Sequence, residues 1–213
     1  MKCRNYKLLI PVLFLLSMLS ISSCNISWSV EEQKIIEQAS YSRMRVLTID
    51  NPSDSLSLRE KSRKLSKRAI SSPLFGAMVS SMIETVNDPN DPGVGIAAPQ
   101  VGVNVKLVAV QRFDKEGTPF EIFVNPKIVS YGKNLISGRE GCLSVPDYSA
   151  EVLRSDSIEI VYNHPITFEE VRESVAGFTA IIFQHEIDHL DGILYVDRLE
   201  KNPRSEERRV GKE

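Results

Sequence analysis

The nine residues from Gln184 to Gly192, Q-H-E-I-D-H-L-D-G, constrain this chain more than any other stretch. On an α-helix, side chains four apart share a face, so His185 and His189 present their imidazoles to one point, with Glu186 one position round. That is the layout of a metal site with a base beside it. Catalytic sites of this kind take three protein ligands and keep a further position for water, so the helix is one ligand short. Cys142, in E-G-C-L-S from Glu140 to Ser144, is the only cysteine well inside the chain. A thiolate suits a borderline or soft divalent ion. The competing reading is a chance H-E-x-x-H on a core helix, with Cys142 an inert buried thiol.

A length of 213 residues with 42% hydrophobic content suits one compact domain with extra segments at its ends. The net charge of -2 leaves no basic footprint, so nucleic acid is not expected as a partner. Residues 1–24 read as a targeting segment: Lys2, Arg4 and Lys7 precede an apolar run from Leu8 to Leu19, and small residues follow. The run is short for a membrane span. Its end, I-S-S-C from Ile21 to Cys24, resembles a bacterial lipobox. A location at the cell envelope is therefore expected, with membrane contact only through a lipid anchor at Cys24. The alternative is translation starting near Met44 and a cytoplasmic protein. Residues 25–43 read as a tether with a short helix, and 44–203 as the catalytic domain. Cys3 and Cys24 both precede that domain, so it holds no internal disulfide framework.

Within the domain, Leu74, Met78, Met82 and Val86 recur every four residues and predict a core-facing helix, stopped by Asn87 to Pro92. G-V-G-I-A-A-P-Q (Gly93 to Gln100) is not a dinucleotide fingerprint, because Pro99 and the alternation from Val103 to Val110 indicate a turn and a strand rather than a helix. Its small residues let the backbone run close to a ligand, Gly95 having no side chain in the way. Further strands are expected at Phe120 to Val124 and Ile128 to Tyr131, broken by Asn125-Pro126, and at Val152 to Tyr162. The last helix is expected from Ser174, as N-cap, to Asp191, with Gly192 as the stop. Phe178, Ile181 and Ile182 fall on or near its metal-bearing face and would line an apolar pocket, while Phe183, Ile187 and Leu190 supply the core contact. Glu140 and Arg154 are expected to pair, Asp188 to act as an acceptor behind the ligands, and His164 to lie at the surface.

With G-V-G-I-A-A-P-Q, E-G-C-L-S and Q-H-E-I-D-H-L-D-G in this order, the chain resembles the peptide deformylases from about Met44 to Leu199. The resemblance implies an α+β fold, mostly antiparallel sheets wrapped around the central metal-binding helix. It implies one divalent metal on Cys142, His185 and His189: Fe2+ by family, with Zn2+ or Ni2+ favoured in an oxidising envelope. Glu186 would be the general base, and Gln100 and the Leu143 N–H the oxyanion donors. The pocket formed by Val94, Gly95, Phe178, Ile181 and Ile182 would take the methionine of a formylated peptide or protein N-terminus, and formate would be released. Two other readings stand beside it. One is a metallopeptidase or an amidase for another N-acyl group; the other is an envelope lipoprotein that only binds formyl peptides. The charged tail 204–213, R-S-E-E-R-R-V-G-K-E, reads either as a solvated end or as the in-frame translation of a sequencing adapter, in which case the natural C-terminus would be missing.

Overall fold

A computed structural model describes residues 28–39, 41–201 and 208–209. Residues 1–24, read above as a targeting segment and including Cys24, and most of the charged tail lie outside the described residues. The helices are α1 (Val30–Ala39), α2 (Pro52–Leu58), α3 (Lys67–Ile70), α4 (Pro73–Val86) and α5 (Gly177–Leu190). The strands are β1 (Gly95–Ala97), β2 (Leu107–Gln111), β3 (Phe120–Tyr131), β4 (Leu135–Cys142), β5 (Val145–Ser155), β6 (Ser157–Asn163), β7 (Glu170–Ala176) and β8 (Arg208–Arg209). They form a five-stranded sheet in the order β1-β2-β3-β6-β7 and a three-stranded sheet β4-β5-β8. Every pairing between these strands is antiparallel. The fold is α+β, as expected.

Helix α5 packs against strands of both sheets, so it is apolar on more than one side. Phe183, Ile187 and Leu190 bury themselves among Val108, Val110, Phe123 and Ile160. Phe183 meets Phe123 edge-on with ring centroids 4.6 Å apart, a favoured aromatic arrangement. Helix α4 buries Met78, Met82 and Val86 in a second cluster, with Pro73 in its first turn, where its missing N–H costs nothing.

The structure corrects several boundaries. Helix α5 starts at Gly177, because Ser174 is a strand residue of β7 paired with Glu159. The chain leaves β7 through Gly177 at φ +67°, which glycine adopts without a steric penalty, and the Gly177 N–H donates to the Asp156 carbonyl at 2.8 Å. Asn125-Pro126 does not end a strand. It forms a bulge in β3, where the register shifts between Val124 and Lys127. Asn125 sits at φ +53°, and its side-chain amide exchanges hydrogen bonds with the backbone of Leu65. The strand expected from Val103 begins only at Leu107; Val105 bridges to Arg63 before it. The stretch expected as one strand from Val152 to Tyr162 is the end of β5 and most of β6. Strands β4 and β7 were not anticipated, since both are polar on an exposed face.

The segment 25–43 carries α1, and this helix is part of the packing. Trp28 and Ile36 are buried with Met78 and Met82, the Trp28 indole N–H donates to Ser72 Oγ at 2.9 Å, and Glu32 pairs with Arg63. Deleting residues 1–43 is expected to cost about 3–5 kcal/mol, the range for emptying a large buried site. At roughly 2–4 °C per kcal/mol the melting temperature drops by about 6–20 °C. A thermal melt of the truncated chain that overlays the full-length one would show that α1 contributes nothing.

Candidate metal centre

Three elements bring the site together. Helix α5 supplies His185, Glu186 and His189; the end of β4 supplies Cys142, where the register against β5 shifts; and the 3-10 turn Ala98–Val101 after β1 supplies Gln100. One ligand atom each from Cys142, His185 and His189 lies within 4.8 Å of the others, and Cys142 Sγ is 3.3 Å from His189 Nε2. An ion bonded at about 2.0–2.3 Å to nitrogen and sulfur holds its donors roughly 3.5 Å apart, so the cluster fits one divalent cation. Burial keeps His189 well below the usual histidine range, which leaves the neutral imidazole that a metal requires.

Behind the ligands runs a chain of paired charges. His185 donates through Nδ1 to Glu140 at 2.8 Å, which frees Nε2 for a metal. Glu140 accepts two bonds from Arg154, at 2.8 and 2.9 Å, as expected from the sequence. Arg154 donates to Asp188 at 2.6 Å, and Asp188 accepts from Arg198 Nε at 3.0 Å. Burial works against the charge on Glu140, but hydrogen bonds from His185 and Arg154 hold its carboxyl down at about 2. The Tyr195 ring stacks on His185 with centroids 6.0 Å apart, and its hydroxyl donates to the Tyr148 carbonyl at 2.9 Å. This ties α5 to the strand that follows Cys142. His164, the remaining histidine, caps the β6–β7 turn by accepting from the Ile166 and Thr167 N–H groups.

Glu186 is buried, and its Oε2 has no hydrogen-bond partner among the described residues. Burial pushes its carboxyl up to about 7; the His185 charge opposes the rise and Glu140 adds to it. Gly95 makes room for this side chain: a Cβ there would stand 2.5 Å from Glu186 Oε1. Gln100 is oriented by its own turn. Its Oε1 accepts from the Ala97 N–H at 2.8 Å, so Nε2 points at Ser144 Oγ (3.3 Å) and Cys142 Sγ (3.5 Å).

A cleft of about 900 Å³ opens over these groups. It is lined by the expected Val94, Gly95, Gln100, Cys142, Leu143, Phe178, Ile181, Ile182, His185 and Glu186. His189 lies buried behind it. Ile182 serves both readings, since it lines the cleft and belongs to the core cluster of α5. Tyr195 and Arg198 were missed by sequence reasoning. They follow the helix on the 3-10 segment Tyr195–Lys201, and only its fold back over β5 shows what they touch.

This fold and this site define a metal-dependent hydrolase, with a buried carboxylate beside three residues that could hold the ion. The family model described as Polypeptide deformylase matches residues 44–205. The peptide deformylase of Caulobacter vibrioides is 37% identical over 159 residues, covering 74% of this chain and 88% of its own. That of Chlorobium phaeobacteroides is 38% identical over 172 residues, covering 79% and 86%. Among solved structures, the class I type b peptide deformylase from Acinetobacter baumannii with Met-Ala-Ser bound superposes with a TM-score of 0.65 at 31% identity, over 74% of this chain and 99% of that one. Peptide deformylase from Thermotoga maritima does so with a TM-score of 0.62 at 32% identity, over 73% and 97%. The chain belongs to the polypeptide deformylase family.

Proposed function

We propose that this chain hydrolyses the formyl group from N-formylmethionyl peptides or proteins, releasing formate and a free amino terminus. The observation that carries the reading is the convergence of Gln100, Cys142, His185, Glu186 and His189 on one cleft with an apolar pocket beside it. The Met-Ala-Ser bound by the Acinetobacter baumannii relative is a peptide of the kind that would remain after such a reaction. A divalent metal held by Cys142, His185 and His189 supplies Lewis acidity and makes water more acidic.

The protein's own groups do the rest. Glu186 accepts a proton from the water that attacks the formyl carbon, and its buried setting near pKa 7 suits it to hold that proton and return it to the departing amine. The Gln100 amide and the Leu143 N–H donate to the oxygen as it becomes negative, and Gln100 is already aimed by its bond to Ala97. Val94, Phe178, Ile181 and Ile182 hold the first side chain and keep the formyl group over the ligands.

Ferrous iron is the proposed metal by resemblance, with zinc or nickel taking its place where oxygen is present. We place the protein at the cell envelope, anchored through Cys24, on the order of charged, apolar and small residues in segment 1–24. Fractionation of cells carrying Cys24→Ser tests this: release from the membrane fraction is expected, and an unchanged distribution would sink the anchor. The activity is tested by anaerobic assay of formate release from formyl-Met-Ala-Ser beside an acetylated control, with metal content read on the same sample. Formate from the first peptide alone is expected. A metal-loaded protein that leaves the formyl peptide intact would overturn the reading.

A further inference from the structure

We infer that the pocket beside the metal centre takes an aromatic first residue as well as methionine, with Gly138 setting its width and Phe178, backed by Phe113, giving it an aromatic wall; this rests on the deformylase reading above. Strand β4 meets helix α5 near its C-terminal end. Glu140 on β4 holds His185, while Asp156, just past the end of β5, receives the Gly177 N–H where the helix begins. Gly138 lies two residues before Glu140 and therefore on the same face of β4. Gly138, Phe178 and Ile181 all line the cavity.

A Cβ built on Gly138 would meet no heavy atom within 4 Å, and its backbone is not in the left-handed region that calls for glycine. A glycine inside a strand weakens it and packs nothing. What this position contributes is open space in the pocket.

The aromatic part of the lining is held in place. Phe178 is 51% exposed and its ring meets that of Phe113 at 5.1 Å, tilted by 55°. Phe113 follows Arg112, which is buried and donates to Asp114, Glu121 and Glu173 at 2.6–2.9 Å. Those three carboxylates pin the β2–β3 connection, so Phe113 backs Phe178 from a fixed loop. A pocket with a vacancy and a supported ring fits a flat, wide side chain, which a ring face or edge engages favourably.

The test compares kcat/KM for formyl-Phe-Ala-Ser and formyl-Met-Ala-Ser on the full-length, metal-loaded enzyme and on Gly138→Val. The wild type is expected to process the two within about tenfold of each other. In Gly138→Val the ratio of phenylalanine to methionine substrate falls at least about tenfold, because added methyl groups in a fitted pocket discriminate on that scale. Valine suits a strand, so folding is retained and is checked by a thermal melt. Gly138→Ala gives a smaller fall in the same direction and serves if the valine variant does not fold. A wild type that discriminates against phenylalanine by more than about 200-fold, or a ratio that neither substitution moves, overturns the inference. In either case turnover of formyl-Met-Ala-Ser leaves the deformylase reading standing. If the wild type leaves that peptide intact as well, the deformylase reading fails and takes this inference with it.

Discussion

Replacing Glu186 by Gln is expected to slow formate release by about 10²–10⁴-fold, the range that a positioned general base contributes, while leaving the metal content as it is. Glutamine has nearly the same shape, so the fit against Gly95 and the helix face survives. What is lost is the ability to take a proton. None of the three grouped ligand atoms belongs to Glu186, so its removal leaves Cys142, His185 and His189 in place. Single-turnover formate release and metal analysis on one preparation read both effects. A variant within tenfold of the wild type would mean that another group takes the proton, and the mechanism would need a different base. The same variant separates a hydrolase from a formyl-peptide binder, since a binder would keep its affinity and would have no turnover to lose.

The second large effect is on stability. Arg154 is buried and bonded to both Glu140 and Asp188, so Arg154→Ala leaves two buried carboxylates short of their partner. Breaking a buried pair in this way costs about 3–5 kcal/mol. At roughly 2–4 °C per kcal/mol the melting temperature falls by about 6–20 °C. Because Glu140 orients His185, metal is also held about 10–100-fold less tightly. Thermal melts with and without metal, together with a chelator competition, measure the two consequences. If the melting temperature drops while metal affinity stays the same, Arg154 supports the fold alone and has no part in aligning the ligand.

Much of the site was legible because its main element is local. Two histidines four residues apart must share a helical face whatever surrounds them, and the carboxylate between them follows with them. The cysteine could be assigned because no other thiol lies in the body of the chain. The pairing of Glu140 with Arg154 was anticipated from their places around the Cys142 loop, and their antiparallel strands bring them together. Element boundaries were less legible. Ser174 reads equally well as a helix cap or as an exposed strand residue, and only pairing with Glu159 decides. Pro126 reads as a break until the Leu65 backbone is found against Asn125, 60 residues away in the chain.

By itself, then, the amino-acid sequence determined that two histidines and a carboxylate lie close together on one helix, with an apolar stripe beside them and a single thiol in the body of the chain as the candidate partner, since these follow from helical spacing or from there being one thiol to choose. Only the tertiary structure decided that Arg198 bonds Asp188 and Tyr195 stacks on His185, that α1 packs into the core, and that Gly138 and Phe178 line one cleft. Those contacts join residues whose separation along the chain carries no periodic signal. They exist because antiparallel pairing and burial against α5 bring distant segments to the same place.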